Sequence, residues 1–287
     1  MTLALGCSQK SASVDLGAPD LAFKSVIAPR PYQSQIPVSY DPSRAWPLLI
    51  LLHGYGVNGI LQDAYFGLSR IVDQAGFLYA YPDGLKDPTG SRYWNATDAC
   101  CDLYGAHPDD VAYVNAIIDD MSSTYHVDPN RIFLAGHSNG GFLAHRLGCD
   151  SAPCIAAFMA LAGDDWKDTS KCNPANPVSV LQVHGTADTL IAYDGGSTSM
   201  GAYPSARDSV GGWALKNGCD GSSTPSGTLD LDSLLPGNET AIDRFMNCRG
   251  GVDVELWTIN GGAHIPDLQK TWAMTLWSWL AAHPKTH

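Results

Sequence analysis

Six apolar runs, separated by segments of helical periodicity, constrain this chain more than any other feature of it. They occupy residues 47–53, 76–81, 132–135, 155–161, 178–183 and 252–257. Runs with little or no polar alternation suit strands buried on both faces of a sheet. Residues 109–125 place Val111, Val114, Ile117, Ile118 and Met121 on one helical face, and residues 203–217 and 267–283 repeat the pattern. Alternating strands and helices predict an α/β fold, a mostly parallel central sheet with helices on both faces. Residues 23–38 read as antiparallel edge strands. Residues 218–237, rich in Gly, Ser, Thr and Pro, read as a loop excursion. With 287 residues and 45% hydrophobic content, the chain can build one sizeable core. We expect a single domain over residues 21–287 and an N-terminal tail or signal remnant over 1–20.

The net charge of −12 argues against nucleic acid and anionic lipid surfaces as partners, since both would repel it. Eight cysteines are many for a reducing compartment and point to an extracellular or periplasmic location. None forms C-x-x-C, and no Cys/His cluster has zinc-finger spacing, so no structural metal is expected. Sequence proximity suggests Cys149–Cys154, and Cys219–Cys248 flanks the Gly/Ser/Thr/Pro-rich insert. Cys100 and Cys101 are neighbours, so each is expected to bond elsewhere, with Cys172 as one partner. Cys7 follows a small residue and precedes a polar tether, like the tail of a bacterial lipoprotein signal. A lipid anchor there and a free cysteine in a frayed terminus are both open readings. Otherwise no membrane association is expected, because no apolar stretch approaches the ~18 residues a span requires. Asn95-Ala96-Thr97 and Asn238-Glu239-Thr240 are glycosylation sequons.

Chemistry gathers at the carboxyl ends of strands in open α/β sheets. After the third run stands Gly136-His137-Ser138-Asn139-Gly140, followed by the helix-like segment 142–147. A G-x-S-x-G turn between strand and helix holds a serine hydroxyl out for attack, and its glycines relieve the crowding. His184-Gly185-Thr186-Ala187-Asp188 follows the fifth run, and Gly261-Gly262-Ala263-His264 the sixth. Ser138, Asp188 and His264 therefore occur in the chain order of α/β-hydrolase triads. A neutral hydroxyl needs a base, which His264 can supply. Asp188 would fix the imidazole tautomer. Two N–H donors must face the developing oxyanion, and the backbones of Asn139 and Tyr55 are the candidates. Asp164, Asp165 and Asp194 compete for the acid, and eight other histidines for the base. Such chemistry calls for no metal or organic cofactor. Trp94, in a long polar loop, is expected to wall a substrate cleft with Tyr55 and Trp166.

The chain resembles the extracellular polyhydroxybutyrate-depolymerase-like and feruloyl-esterase-like α/β-hydrolases. The matching stretches are Leu52-His53-Gly54-Tyr55-Gly56, Tyr81-Pro82-Asp83-Gly84, Tyr93-Trp94-Asn95, Cys100-Cys101, Asp109-Asp110-Val111, Gly136 to Gly141, His184 to Asp188 and Gly261 to His264. They run from about residue 30 to the C-terminus. The resemblance implies a secreted serine esterase with the triad Ser138, Asp188 and His264. Two departures fall where the substrate should lie. Ile191-Ala192-Tyr193 stands where members often carry Val-Pro-Tyr, and Ile265-Pro266 where many carry a tryptophan. Tyr193 and Ile265 are accordingly candidate substrate-binding residues, and specificity does not carry over.

The expected function is thus a serine carboxylester hydrolase acting through an acyl-enzyme on polyhydroxyalkanoate-type, feruloyl-type or related esters. A serine peptidase of the same fold and a non-catalytic binding module are the alternatives. A small or oligomeric ester is the expected partner, and the expected state is a monomer.

Overall fold

A computed structural model describes residues 26–286. The tail at 1–20, Cys7 included, and residues 21–25 lie outside the described part. Among the described residues nine strands form one sheet: β1 (Gln33–Gln35), β2 (Trp46–Leu52), β3 (Leu78–Tyr81), β4 (Val127–His137), β5 (Ala157–Leu161), β6 (Ser179–Gly185), β7 (Ser223–Leu229), β8 (Thr240–Phe245) and β9 (Val254–Ile259). Their order is β1-β3-β2-β4-β5-β6-β9-β8-β7. The six strands from β3 to β9 are parallel, and antiparallel strands extend the sheet at both edges.

The period of two along a buried strand splits the core into two layers. In β2, Leu48, Ile50 and Leu52 point to one face and Leu49 and Leu51 to the other, all fully buried. The first face is covered by α2 (Asp110–Thr124), α3 (Asn139–Asp150) and α4 (Ala206–Lys216). The second is covered by α1 (Gly59–Phe66) and α5 (Trp272–Ala281), where Trp277 stacks on Phe77 with centroids 4.2 Å apart. The helix starts are legible as caps. Asn58 accepts from Leu61 N, Asp109 from Ala112 N and Ser205 from Asp208 N. A mostly parallel sheet with helices on both faces is what the alternation of runs and helices predicts, and it takes the α/β-hydrolase form that the motif resemblance implies.

Three expectations are corrected. The stretch 218–237 is not only loop, because it contains β7, which pairs antiparallel with β8. Its residues are almost all exposed, so the apolar alternation that reveals a half-buried strand was never required of it. Cys149, in the last turn of α3, bonds Cys172 rather than Cys154. Cys172 follows a short turn after β5 that returns to that helix, with Cα atoms 5.6 Å apart. Cys100 and Cys101 bond each other; the peptide between them is cis, and both side chains lie on one side of the chain. Cys219 bonds Cys248 as expected, at the base of the β7–β8 hairpin. Among the described residues no helix is long and apolar enough to cross a membrane.

Candidate active site

The pentapeptide forms the turn from β4 into α3. Ser138 holds φ 54° and ψ −120°, a conformation side chains rarely adopt. The two glycines make the turn feasible. A Cβ on Gly136 would lie 2.1 Å from the Gly140 carbonyl oxygen, and one on Gly140 would lie 2.1 Å from that of Leu52. Ser138 occupies the N-cap of α3, yet its side chain makes no cap bond. The main chain fixes the residue instead: its N–H donates to Leu161 O at 2.8 Å, and its carbonyl accepts from Phe142 N at 3.0 Å. The hydroxyl is left for other work.

Asp188 sits in the turn after β6. Its Oδ1 accepts from Leu190 N (2.8 Å) and Ile191 N (2.9 Å), and its Oδ2 faces His264 Nδ1 at 2.7 Å. A carboxylate only accepts, so Nδ1 carries a proton, and in the neutral ring Nε2 keeps its lone pair. Burial works to raise the Asp188 pKa, but hydrogen bonds from His184 and His264 outweigh it and hold the carboxyl well below its usual range. The two turns are knitted together: Ala187 N donates to Gly262 O (2.9 Å), and Gly261 N to Thr186 Oγ1 (2.8 Å).

The His264 loop is also tied to the elbow. His137 Nε2 donates to the His264 carbonyl at 3.0 Å, with ring centroids 5.1 Å apart. Tyr65 of α1 donates to Pro266 O at 2.7 Å. His137 thereby sets the imidazole of His264 beside the serine turn, while Ser138 Oγ and His264 Nε2 are not hydrogen-bonded to each other in this conformation. Burial lowers the His137 pKa to about 4, so it serves as a neutral donor.

Of the two candidate oxyanion donors, Asn139 belongs to the elbow itself and Tyr55 to the loop after β2. In the loop after β2, Gly54 N donates to Gln62 Oε1 (3.2 Å) and Gly56 N to Arg92 O (2.8 Å). Tyr55 N lies between these two fastened amides and makes no turn, loop or cap bond, and neither does Asn139 N at the start of α3. The Tyr55 hydroxyl donates to Asp87 at 2.6 Å.

The expected aromatic wall does not form. Trp94 is fully buried, its ring against Tyr113, His53 and the Arg30 guanidinium, and it offers no surface to a substrate. Trp166 is buried too and lines two cavities of about 650 and 490 Å³; none of Ser138, Asp188, His264 and Tyr55 lines either. Tyr193 lies beneath the acid turn, its hydroxyl 2.9 Å from Thr258 Oγ1 and its ring edge-on to His184. Ile265, beside His264, is 61% exposed. Of the rival acids, Asp165 pairs with Lys216 at 2.8 Å, and Asp164 lies 4.0 Å from His184.

A buried polar layer lies behind the acid, and its Gln182–His145–Trp213 chain is not apparent from the sequence. His184 Nε2 donates to Ile191 O at 2.8 Å and lies 3.4 Å from Asp188 Oδ2. Gln182 Nε2 donates to Gly163 O (2.9 Å), its Oε1 accepts from His145 Nε2 (2.9 Å), and Trp213 Nε1 donates to His145 Nδ1 (2.9 Å). The available signal was Gln182 itself, a lone amide inside an apolar strand that must find partners once buried.

Residues 36–211 match the family model described as phospholipase/carboxylesterase. The chain is 32% identical over 238 residues to feruloyl esterase B of Piromyces equi, covering 80% of this chain and 41% of that protein. It is 29% identical over 232 residues to the bifunctional acetylxylan esterase/xylanase XynS20E of Neocallimastix patriciarum, covering 79% and 30%. It thus spans less than half of each of these relatives. Among solved structures, an acetyl xylan esterase from Aspergillus awamori shares the fold with a TM-score of 0.59 at 14% identity, over 86% of this chain and 92% of that one. With the matched span covering well over half of its length on this sheet, the chain belongs to the phospholipase/carboxylesterase family, within the α/β-hydrolase fold.

Proposed function

We propose that this protein is a serine carboxylester hydrolase with Ser138 as nucleophile, His264 as general base and acid, and Asp188 as the residue that orients and stabilises the imidazolium. The observation that carries the reading is the 2.7 Å contact of His264 Nδ1 with Asp188 Oδ2, held beside a serine at φ 54°. Ser138 Oγ attacks the ester carbonyl carbon and passes its proton to His264 Nε2. The oxyanion is met by the amides of Tyr55 and Asn139. Collapse breaks the acyl–oxygen bond, and His264 returns the proton to the departing alcohol. Water then attacks the acyl-enzyme with the same imidazole as base, which releases the acid and restores Ser138.

The names of the relatives favour feruloyl-type and acetyl esters, and hydroxyalkanoate-type esters remain in the proposal through the resemblance of the motifs. Ile265, exposed next to His264, is the side chain we assign to substrate contact. The disulfides of the described residues support an extracellular or periplasmic site of action. We take residues 21–287 as one catalytic domain working as a monomer.

Hydrolysis of p-nitrophenyl acetate, methyl ferulate, a 3-hydroxybutyrate oligomer and a peptide anilide tests the reading. Ester turnover is expected, with Ser138→Ala lowering kcat by at least about 10⁴-fold in a folded protein. A folded alanine variant of native activity, or hydrolysis confined to the anilide, sinks it.

A further inference from the structure

Trp94 is bonded to both segments that carry the candidate oxyanion donors. Its main chain closes a two-bond ring with the Asn139 side chain: Trp94 N donates to Asn139 Oδ1 at 2.7 Å, and Asn139 Nδ2 donates to Trp94 O at 2.9 Å. Its indole Nε1 donates to His53 O at 2.9 Å, two residues before Tyr55. Trp94 O also accepts from Cys101 N at 3.3 Å. The residue has no exposed surface, and its ring is held by His53 at 4.8 Å and Tyr113 at 6.4 Å between centroids, with the Arg30 guanidinium 5.7 Å away. Asn139 is fully buried as well, so these bonds form in a low-dielectric setting where they are strong and costly to leave unmade. Without Trp94, the loop after β2 and the first turn of α3 would lose this shared partner.

We propose that Trp94 is a positioning residue of the oxyanion hole, fixing the spacing between the Tyr55 and Asn139 amides from behind without touching substrate. The inference rests on the esterase reading above. Preorganised donors stabilise a developing charge only while they stay in place, and a displacement of about 1 Å costs up to ~10²-fold in rate.

Two variants test it. Trp94→Phe keeps a ring in the pocket and removes only the bond to His53. Asn139→Ala keeps the residue-139 amide and removes its side-chain ring with Trp94, so it carries the test if Trp94→Phe fails to fold. Rates are taken per active site titrated with a fluorophosphonate. We expect kcat on p-nitrophenyl acetate to fall about ten- to a hundredfold in each, with KM within about twofold. The Ki of a trifluoromethyl ketone, whose serine adduct bears an oxyanion, should rise by the same factor as kcat/KM falls. The double variant should lose less than the product of the single losses, since both act on one clamp. Native kcat per titrated site with a lowered Tm would reduce Trp94 to a packing residue and overturn the proposal. A raised KM at native kcat would overturn it too, by making the ring a substrate contact. Wild-type protein that neither turns over esters nor labels at Ser138 defeats the esterase reading and this inference together. Turnover abolished by Ser138→Ala but untouched in both test variants defeats this inference alone.

Discussion

Asp188 shows how neighbours prepare a single carboxylate for the role proposed for it. Two backbone amides hold one oxygen and His264 the other, so the group stays ionised despite burial. Asp188→Asn would keep the shape but favour the wrong imidazole tautomer, and kcat should fall by about 10⁴ with KM little changed; steady-state kinetics check it. Asp164, one layer behind, is the opposite case. Burial raises its pKa from 3.8 to about 6, and its Oδ2 is buried without a hydrogen-bond partner among the described residues. A carboxyl that keeps its proton in the folded state to a higher pH than in the unfolded state stabilises the fold below about pH 3.8 and loses that contribution as the pH rises through about 6. Asp164→Asn is neutral throughout. Its Tm relative to wild type should therefore rise between pH 4 and pH 7, and a flat difference in thermal melts would mean that Asp164 is ionised in the folded protein.

At the scale of elements, the turns after β4, β6 and β9 are shaped by close backbone approaches and then stitched to one another. A Cβ on Gly185 would sit 2.1 Å from the Gly262 carbonyl oxygen, so the acid and histidine turns are pressed together by residues chosen for what they lack. The C-terminal end of α3 is held by the Cys149–Cys172 bond, which spans 23 residues of sequence. Removing it as Cys149→Ser/Cys172→Ser should cost about 3 kcal/mol of stability on loop-closure grounds. Denaturant unfolding would measure that loss, with kcat unchanged at temperatures where the variant stays folded.

For the whole molecule, the sheet runs out at β7, an exposed strand that must not recruit another sheet. Pro225 lacks an N–H to extend a ladder, and the register shifts between Pro225 and Gly227, where Gly227 has φ 135°. Pro225→Val supplies a backbone N–H and a strand-forming side chain to this edge strand. It should raise the dimer fraction at high protein concentration, as sedimentation velocity would show. The opposite edge, β1, is a three-residue polar strand, short enough to offer little purchase.

What the amino-acid order alone determined is whatever depends on neighbours in the chain. Strands buried on both faces declare themselves as apolar runs, α2 declares itself by its period and its Asp109 cap, and Ser138 stands out because glycines two residues either side mark a turn with no room for a Cβ. Asp188 and His264 are nameable as candidates because each follows such a run. Tertiary structure alone decided what depends on residues meeting across the fold. Trp94 is read from sequence as a loop aromatic facing substrate and lies instead in the core, bonded to His53 and Asn139. Cys149 found Cys172, and His137 and Tyr65 found the loop of His264. A buried polar group must satisfy its bonds, but nothing local says with whom; that choice belongs to the packing of distant segments.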